Sequence, residues 1–346
     1  TRREFGGLQI EWQKGMHARS FTVELSIDGK DWEKVHETAS NQLDRSFIRL
    51  PEAEARYLKL TLRGKVDTKG FAIREISFPD VKSTLTLNDF LIYAARHTPR
   101  GSYPRYFSEE ASFWTVTGVN NDTKEALINE DGMVEAEKAT FSLEAVVRVG
   151  DTLYDWSKLK SVQHLGTTDA RNRFDFAPSV TRRFAGLEMT TTATAAGEAN
   201  KSSRLDLLHS LRNRSEKPLT FEFFLLIRPF QVNPYYQFLN LPGGAGKIEE
   251  IHETDEGIVV GDNMVVPVSP FQEFRAMTFD EGNPVEMIRD GITAGGKEAK
   301  DASGLASGWM KYTITLQPGE ERRLWFLVPF HGKSVRPINQ ASGNEI

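Results

Sequence analysis

The stretch LTFEFFLLI, residues 219–227, decides the fold class. Apolar side chains occupy every second position along it, and two further apolar residues, Phe224 and Leu226, lie on the opposite face. A strand that is apolar on both faces is covered on both sides. Two stacked sheets explain such cover best, so we predict an all-β sandwich in which this stretch is a central strand.

Period-two patterns extend outward from this stretch and predict that nearly everything from Phe113 onward is strand. Residues 141–149 alternate upstream of it. Downstream, the alternating runs 310–316 and 324–330 flank the turn sequence QPGE. Pro and Gly in a short connection are typical of a hairpin. We therefore predict a large antiparallel sandwich over residues 113–333, whose last two strands pair with each other.

A smaller β unit precedes the large one. The segment SFTVELSID, residues 20–28, alternates strictly, and it places Phe21, Val23, Leu25 and Ile27 on one face. A second alternating run surrounds Leu60, so we predict a hairpin-rich sandwich over residues 1–80.

One helix is predicted between the two units. Residues 86–97 have apolar side chains at helical spacing, with Thr86 or Asn88 as the cap, and this helix belongs to a linking segment, residues 81–112. Residues 334–346 are polar and non-periodic, which predicts the start of a linker to a further part of the protein.

The composition excludes several classes of function. The 43 Lys and Arg against 48 Asp and Glu give a net charge of −5, so we expect no nucleic-acid partner. The composition is not that of a membrane protein, and we expect no membrane span. No cysteine is present, so a disulfide or a thiol nucleophile is excluded. The dinucleotide, P-loop, esterase and zincin motifs are absent, and the seven histidines lack metal-ligand spacing, so we predict no metal and no cofactor.

Two acidic segments provide candidates for catalysis. Asp122 lies in NDTKE and Glu130 lies in NEDG. Hydrolysis of a glycosidic bond needs two carboxylates about 5–10 Å apart. The same sequences are also typical of turns, in which side-chain oxygens accept hydrogen bonds from nearby backbone N–H groups. The turn interpretation is favoured, and Glu130 is the better catalytic candidate.

The densest group of aromatic and polar residues is RPFQVNPYYQFLN, residues 228–240, which ends at a Pro-Gly-Gly turn. Sugar sites combine flat aromatic faces with Arg, Asn and Gln donors at the end of a rigid strand. The equal alternative is a proline-locked loop whose aromatic residues pack beneath it or against a neighbouring domain. The candidate carbohydrate-binding residues are Arg228, Gln231, Asn233, Tyr235, Tyr236 and Trp114.

Trp114 belongs to a second aromatic and basic group, together with Arg100, Tyr103, Arg105 and Tyr106. For this group, cation–π contacts or domain docking explain the composition at least as well as ligand contact does.

At this point a family becomes recognisable. The segments FTVELSIDGKDW, EARYLKLTL and GFAIREISF resemble the later strands of a discoidin module, the coagulation factor 5/8 type C domain. The resemblance implies that residues 1–80 are the C-terminal part of a discoidin-like jelly-roll sandwich. It also implies carbohydrate as a ligand, since bacterial members often bind it.

The segments PRGSYPRYF, SFWTVTGVNNDTKEALINEDG and IRPFQVNPYYQFLNLPGG resemble the middle region of large bacterial factor 5/8 type domain proteins. In those proteins a β-supersandwich of the galactose-mutarotase type precedes a six-hairpin helical toroid, as in several glycoside hydrolase and phosphorylase families. The resemblance implies a supersandwich over residues 113–333, a downstream toroid that carries the catalytic acid, and a periplasmic or extracellular location.

We therefore expect a fragment: the non-catalytic β portion of a bacterial glycoside hydrolase-like or phosphorylase-like enzyme, with carbohydrate or polysaccharide as its ligand. Two alternatives stay open. The supersandwich itself is catalytic on a glycan through Glu130 or Asp122, or the chain is a structural or adhesion module at the cell surface.

Overall fold

The computed structural model describes residues 1–66, 70–159, 161–165, 177–238 and 241–332. The predicted linker, residues 334–346, and Asn240 of the aromatic loop therefore lie outside the described residues. Within these ranges the chain is mostly β, with two α-helices, α1 (Leu87–Arg96) and α2 (Pro284–Arg289). The strands are β1 (Arg3–Trp12), β2 (Ala18–Ser26), β3 (Glu33–Thr38), β4 (Arg45–Ala55), β5 (Tyr57–Lys65), β6 (Ile73–Ser77), β7 (Trp114–Gly118), β8 (Glu125–Asn129), β9 (Val134–Glu135), β10 (Ser142–Val149), β11 (Thr152–Tyr154), β12 (Ser161–Leu165), β13 (Ser179–Phe184), β14 (Leu187–Ala196), β15 (Arg204–Asn213), β16 (Leu219–Arg228), β17 (Glu250–Glu253), β18 (Ile258–Val260), β19 (Asn263–Pro267), β20 (Glu273–Met277), β21 (Glu298–Lys300), β22 (Ser307–Leu316) and β23 (Glu321–Pro329).

The first six strands form a small sandwich of two three-stranded antiparallel sheets, in the orders β4-β1-β6 and β3-β2-β5. As the alternation predicts, Phe21, Val23 and Leu25 are buried in the core of this sandwich. Ile27 is exposed, because β2 ends one residue before it.

Strands β7–β23 form a large sandwich of two antiparallel sheets. One has the order β20-β22-β16-β10-β9-β8-β7, with β11 paired to β10, and the other has the order β12-β13-β14-β15-β23-β19-β18-β17-β21. Alternate side chains of both sheets meet in one apolar core, which includes Leu143, Leu207 and Phe326. The predicted all-β, antiparallel fold class is confirmed.

Strand β16 is central and buried on both faces, as its sequence predicts. Phe221, Phe223 and Leu225 face the core between the sheets, while Phe224 and Leu226 face a separate apolar cluster. That second cluster is covered by α2 and by Leu43 of the small sandwich, not by a further sheet.

The predicted pairing of the last two strands is wrong. β22 pairs with β16 and β20 in the first sheet, whereas β23 pairs with β15 and β19 in the second. The two strands therefore face each other across the core, where the rings of Tyr312 and Phe326 are 5.9 Å apart in an edge-to-face contact. The turn between them crosses from one sheet to the other.

The predicted helix is present as α1. Thr86 caps it by accepting a hydrogen bond from the backbone of Asp89, whose carboxylate in turn accepts one from the Thr86 backbone. The second helix, α2, was not predicted, although Asn283 and Pro284 form an N-cap and first-turn sequence typical of a helix start. No helix within the described ranges is long and apolar enough to cross a membrane.

The small sandwich contacts both the linking segment and the large sandwich. The Arg49 guanidinium donates to the backbone carbonyls of Thr84 and Leu85, and the Tyr93 hydroxyl donates to Gln9 Oε1 at 2.8 Å. Leu43 inserts into the cluster beneath α2. The small sandwich therefore supplies part of the apolar cover of the large one.

A buried carboxyl at this junction is expected to make stability depend on pH. Burial raises the pKa of Glu286 to about 7, although Arg45 Nη1, 3.9 Å away, opposes the shift. Because the folded state holds this proton more tightly than the unfolded chain does, the free energy of unfolding decreases as the pH rises from about 4.5 to about 7. We expect Glu286→Gln to be more stable than the wild type by up to about 3 kcal/mol at pH 8, and by less than about 1 kcal/mol at pH 5.

Urea unfolding at the two pH values measures this difference. Glu33→Gln, at an exposed position on β3, is the control and is expected to keep the wild-type pH dependence. An equal effect of Glu286→Gln at pH 5 and pH 8 would contradict the assignment.

Candidate functional site

Two segments that are distant in sequence lie side by side at one end of the large sandwich. The backbone N–H of Ser112 donates to the Tyr236 hydroxyl at 3.0 Å. The indole N–H of Trp114, the first residue of β7, donates to Gln237 Oε1 at 2.9 Å. These two bonds join the start of β7 to the aromatic loop that follows β16.

The aromatic loop is fixed from below by buried polar groups. The Gln231 amide donates to the carbonyls of Pro242 and Ala245, both at 2.9 Å, and the Tyr106 hydroxyl donates to the Gln231 carbonyl at 2.7 Å. Glu135 accepts a hydrogen bond from the backbone N–H of Val232 at 2.7 Å. Burial raises the pKa of Glu135 to about 7. Gln231 therefore holds the loop in place from inside it.

A cleft of about 370 Å³ opens beside Trp114, and we call it the Trp114 cleft. It is open to solvent and mostly apolar. Its lining residues are Phe113, Trp114, Thr115, Ile128, Asn129, Glu130, His164, Pro178, Ser179 and Val180.

His164 lies at the edge of the cleft on β12 and is exposed. Its Nε2–H donates to the backbone carbonyl of Glu130 at 2.8 Å. Because a carbonyl can only accept, this bond assigns the proton to Nε2 and leaves Nδ1 as the acceptor in the neutral ring. His164 can therefore accept a hydrogen bond from a ligand hydroxyl.

Glu130 lines the cleft but is mostly engaged by the protein. Its Oε2 accepts hydrogen bonds from the Ser112 hydroxyl at 3.2 Å and from the backbone of Phe113 at 3.0 Å. Its Oε1 is buried, has no hydrogen-bond partner among the described residues, and lies 3.2 Å from Arg105 Nε. Burial raises the pKa of Glu130, as a general acid requires, but the carboxylate is directed at the segment that carries Phe113.

A second free carboxylate is not found at the cleft among the described residues. The neighbouring Asp131 is buried, and Arg105 donates to both of its oxygens, at 2.7 and 2.5 Å. Arg105 also lies against the Trp156 ring, with 5.1 Å from Cζ to the ring centroid. Within the part of the chain that the structure describes, the Glu130 site therefore lacks the pair of carboxylates that glycoside hydrolysis requires.

Asp122 lies at the other end of β8, in the turn that precedes this strand. At roughly 3.3 Å per residue, the strand alone separates Asp122 from Glu130 by roughly 15 Å. Asp122 accepts hydrogen bonds from the His331 ring at 2.8 Å and from two backbone N–H groups. Burial raises its pKa, but these hydrogen bonds outweigh burial and hold the pKa well below its usual range. The structure does not bring the two catalytic candidates together.

Arg228 is only 1% exposed and faces the protein interior. It donates to both carboxylate oxygens of Glu144, at 2.9 and 2.5 Å, and to the carbonyl of Ser102 at 2.6 Å. Asn233 is also buried, and its Oδ1 has no hydrogen-bond partner among the described residues. Among the described residues, neither side chain lines the Trp114 cleft.

The two tyrosines of the loop differ in position. Tyr235 is half-buried and stacks on Phe107, with ring centroids 6.1 Å apart and planes at 14°. Tyr236 is 50% exposed and meets Tyr235 edge-on at 5.3 Å. Of the predicted aromatic residues, Tyr236 is thus half exposed, whereas Trp114 is partly buried and packs against the apolar cluster that contains Phe107, while it also lines the cleft.

The second predicted group is mainly structural. Arg100 pairs with Glu110 and lies 4.4 Å above the Trp156 ring, while Tyr103 and Tyr106 are buried in the cluster beneath α1. The predicted cation–π contacts therefore describe Arg100 and Arg105, whereas the two tyrosines pack inside the protein.

Sequence reasoning did not identify Phe113, His164, Gln237 or Phe238 at this surface. Phe113 directly precedes Trp114, and Phe238 lies in the densest group of aromatic residues, so the local composition could have identified these two as candidate site residues. No pattern in the neighbouring sequence identifies His164 as a site residue, because β12 lies in the other sheet and meets β7 and β8 only in the folded sandwich. Among the described residues, no cluster of His, Asp and Glu could hold a metal ion.

No protein-family model matches the sequence, and no curated protein matches it. Among solved structures, the chain is similar to one titled "Putative kojibiose phosphorylase from human microbiome". The identity is 8% and the TM-score is 0.33, over 63% of this chain and 25% of that one. The match thus spans about a quarter of that protein's length, and a TM-score this low does not establish a shared fold.

Proposed function

We propose that this chain is the carbohydrate-binding β portion of a carbohydrate-active enzyme, and that the Trp114 cleft is its sugar site. One observation carries the proposal. The Trp114 ring is held by Gln237 at the edge of an open apolar cleft, beside the exposed ring of Phe113 and the exposed imidazole of His164.

This arrangement suits a sugar ring. A pyranose presents a flat face of C–H groups, which packs on an aromatic ring, and a rim of hydroxyls, which need hydrogen-bond partners. In the Trp114 cleft, Trp114 and Phe113 offer aromatic rings for the C–H face, and His164 and Thr115 offer hydrogen-bond partners for the hydroxyls. Its volume is at the lower end of the range for small-molecule sites.

A binding role is favoured over catalysis in this chain. Glu130 has the raised pKa of a general acid, but both of its oxygens are directed into the protein, and Asp131 is occupied by Arg105. Glu130 instead holds the Phe113 segment against the end of β8. We propose that the catalytic residues lie outside this chain, on the downstream helical toroid that the resemblance implies.

The remaining parts of the proposal rest on the resemblance. Residues 1–80 are the C-terminal part of a discoidin-like module, residues 113–333 are the supersandwich, and the protein works in the periplasm or outside a bacterial cell. The two small sheets of the first unit and the two large sheets of the second support this division.

Replacing Trp114 by alanine is the direct test. We expect glycan binding on a broad panel to weaken by at least about tenfold, because truncating a tryptophan at the centre of a binding site costs about 2 kcal/mol or more. Isothermal titration with the best panel glycan measures the change. Far-ultraviolet circular dichroism verifies that the variant is folded.

Trp32→Ala is the matched control. Trp32 lies on the small sandwich, where Lys59 Nζ is 5.0 Å from its ring centroid. Trp32→Ala is expected to bind like the wild type. Loss of binding in this variant alone would move the sugar site to the small sandwich, and a wild-type chain that binds no glycan would overturn the proposal.

A further inference from the structure

The aromatic surface continues beyond the Trp114 cleft. Phe113 is 70% exposed and Phe238 is 73% exposed, and with Tyr236 they form a group that we call the ring row. Apolar side chains of this size are normally exposed singly, so several of them on two joined segments indicate an interaction site.

The ring row is held in place by hydrogen bonds between its two segments. The bond from Ser112 to the Tyr236 hydroxyl and the bond from Trp114 to Gln237 join residues 112–114 to residues 236–238. Below them, Tyr235 packs on Phe107. Because the side chains of Tyr236 and Trp114 are held before any ligand arrives, binding costs little of their conformational entropy.

Polar groups without charge lie between the rings. The Gln237 side chain accepts from Trp114 through Oε1, which leaves its amide N–H groups to donate to a ligand. The Tyr236 hydroxyl accepts from Ser112 and can donate its own proton. No charged residue occurs in residues 111–118 or 229–246.

We propose that the ring row and the Trp114 cleft form one continuous site for a neutral polysaccharide chain, which lies along the surface and occupies several rings at once. The inference rests on the proposed function and adds the class of ligand. A single sugar would fill only the cleft and leave Phe238 without a partner. A polyanionic chain would find no cation in the ring row, and Glu130 would oppose it.

The absence of charge on the ring row also favours a polysaccharide over a protein as its ligand. The centres of protein interfaces are enriched in Arg as well as in aromatic residues, whereas the ring row combines rings with amide and hydroxyl groups only. These are the groups that pair with sugar hydroxyls along a chain.

The test is a titration with malto-, cello- and laminari-oligosaccharides of one to six units, with polygalacturonate as the anionic comparison. For the series that binds, we expect affinity to rise with length by about three- to tenfold for each ring that is covered, and then to level off. Polygalacturonate is expected not to bind.

Phe238→Ala is expected to weaken binding of the longest oligosaccharide by about three- to tenfold and to leave binding of the shortest unchanged, whereas Trp114→Ala weakens both. Phe78→Ala is the matched control, because Phe78 is 51% exposed and follows β6 of the small sandwich. It is expected to change neither.

Affinity that is equal for one unit and six units, yet is lost in Trp114→Ala, would overturn the polysaccharide inference and leave the proposed function intact. No binding to any of the series, the panel or the polysaccharides would overturn both. Self-association of the chain that Phe238→Ala abolishes, without any glycan binding, would identify the ring row as a protein interface.

Discussion

Replacing Arg228 by alanine is expected to lower the free energy of unfolding by about 3–5 kcal/mol. Arg228 is buried, and its guanidinium satisfies both oxygens of Glu144 and the carbonyl of Ser102. The alanine variant leaves the Glu144 carboxylate inside the protein without its counter-charge, which costs far more than the loss of a surface ion pair. Urea denaturation monitored by tryptophan fluorescence measures the change.

A double variant separates a structural role from ligand binding. Arg228→Met combined with Glu144→Leu removes both charges and keeps apolar volume, so it is expected to recover most of the stability that Arg228→Ala loses. The Phe230 ring, 4.7 Å from Arg228 Cζ, supports the methionine side chain. If Arg228→Ala instead keeps its stability and loses glycan binding, Arg228 is a ligand contact.

The different outcomes for Arg228 and Trp114 show how far local sequence predicts a site. Both were identified from residue type, because Arg and Trp are common in sugar sites. The partner that places Arg228 in the interior, Glu144, is 84 positions away, on the neighbouring strand β10. No local pattern identifies such a partner. Composition could therefore predict that the loop contains many side chains of the types that bind sugars, but not which of them face outward.

In the fold, too, the burial of a strand could be predicted from its own sequence, whereas its pairing partners could not. The alternation in β16 predicted a central strand covered on both faces, and this is confirmed, because burial on each face follows directly from periodicity. The pairing of β22 with β23 could not be predicted. A hairpin and a turn that crosses between two sheets have the same alternation and the same Pro-Gly turn, and only the partners β15 and β16 distinguish them.

Glu130 illustrates a further limit. The sequence NEDG indicates a turn, and the Asn129 side chain does accept hydrogen bonds from the backbone of Asp131 and Met133. The turn interpretation therefore describes the local structure. The contact of Glu130 with the Phe113 backbone is also real, and it connects this turn to the proposed sugar site. Glu130 thus belongs to a turn and also positions the surface proposed to bind sugar.

Gly243 is a position where even an added methyl group is expected to disturb the aromatic loop. A Cβ atom at Gly243 would lie 2.2 Å from the backbone carbonyl oxygen of Pro234 and 2.6 Å from that of Asn233. Because these are backbone atoms, the loop itself must move, and it carries Tyr236 two residues further on. We expect Gly243→Ala to lower the free energy of unfolding by about 2–3 kcal/mol.

The same variant is expected to weaken glycan binding, since the displaced loop no longer places the Tyr236 hydroxyl within reach of the Ser112 backbone. Thermal unfolding and glycan titration measure the two effects. Gly118→Ala is the control: its Cβ would meet the Glu125 side chain at 3.2 Å, at an exposed position on β7, so the expected change is within about 0.5 kcal/mol. A Gly243→Ala protein with wild-type stability and binding would show that the turn does not pack against residues 233 and 234 in solution. Loss of binding at unchanged stability would place the effect of Gly243 in loop position alone.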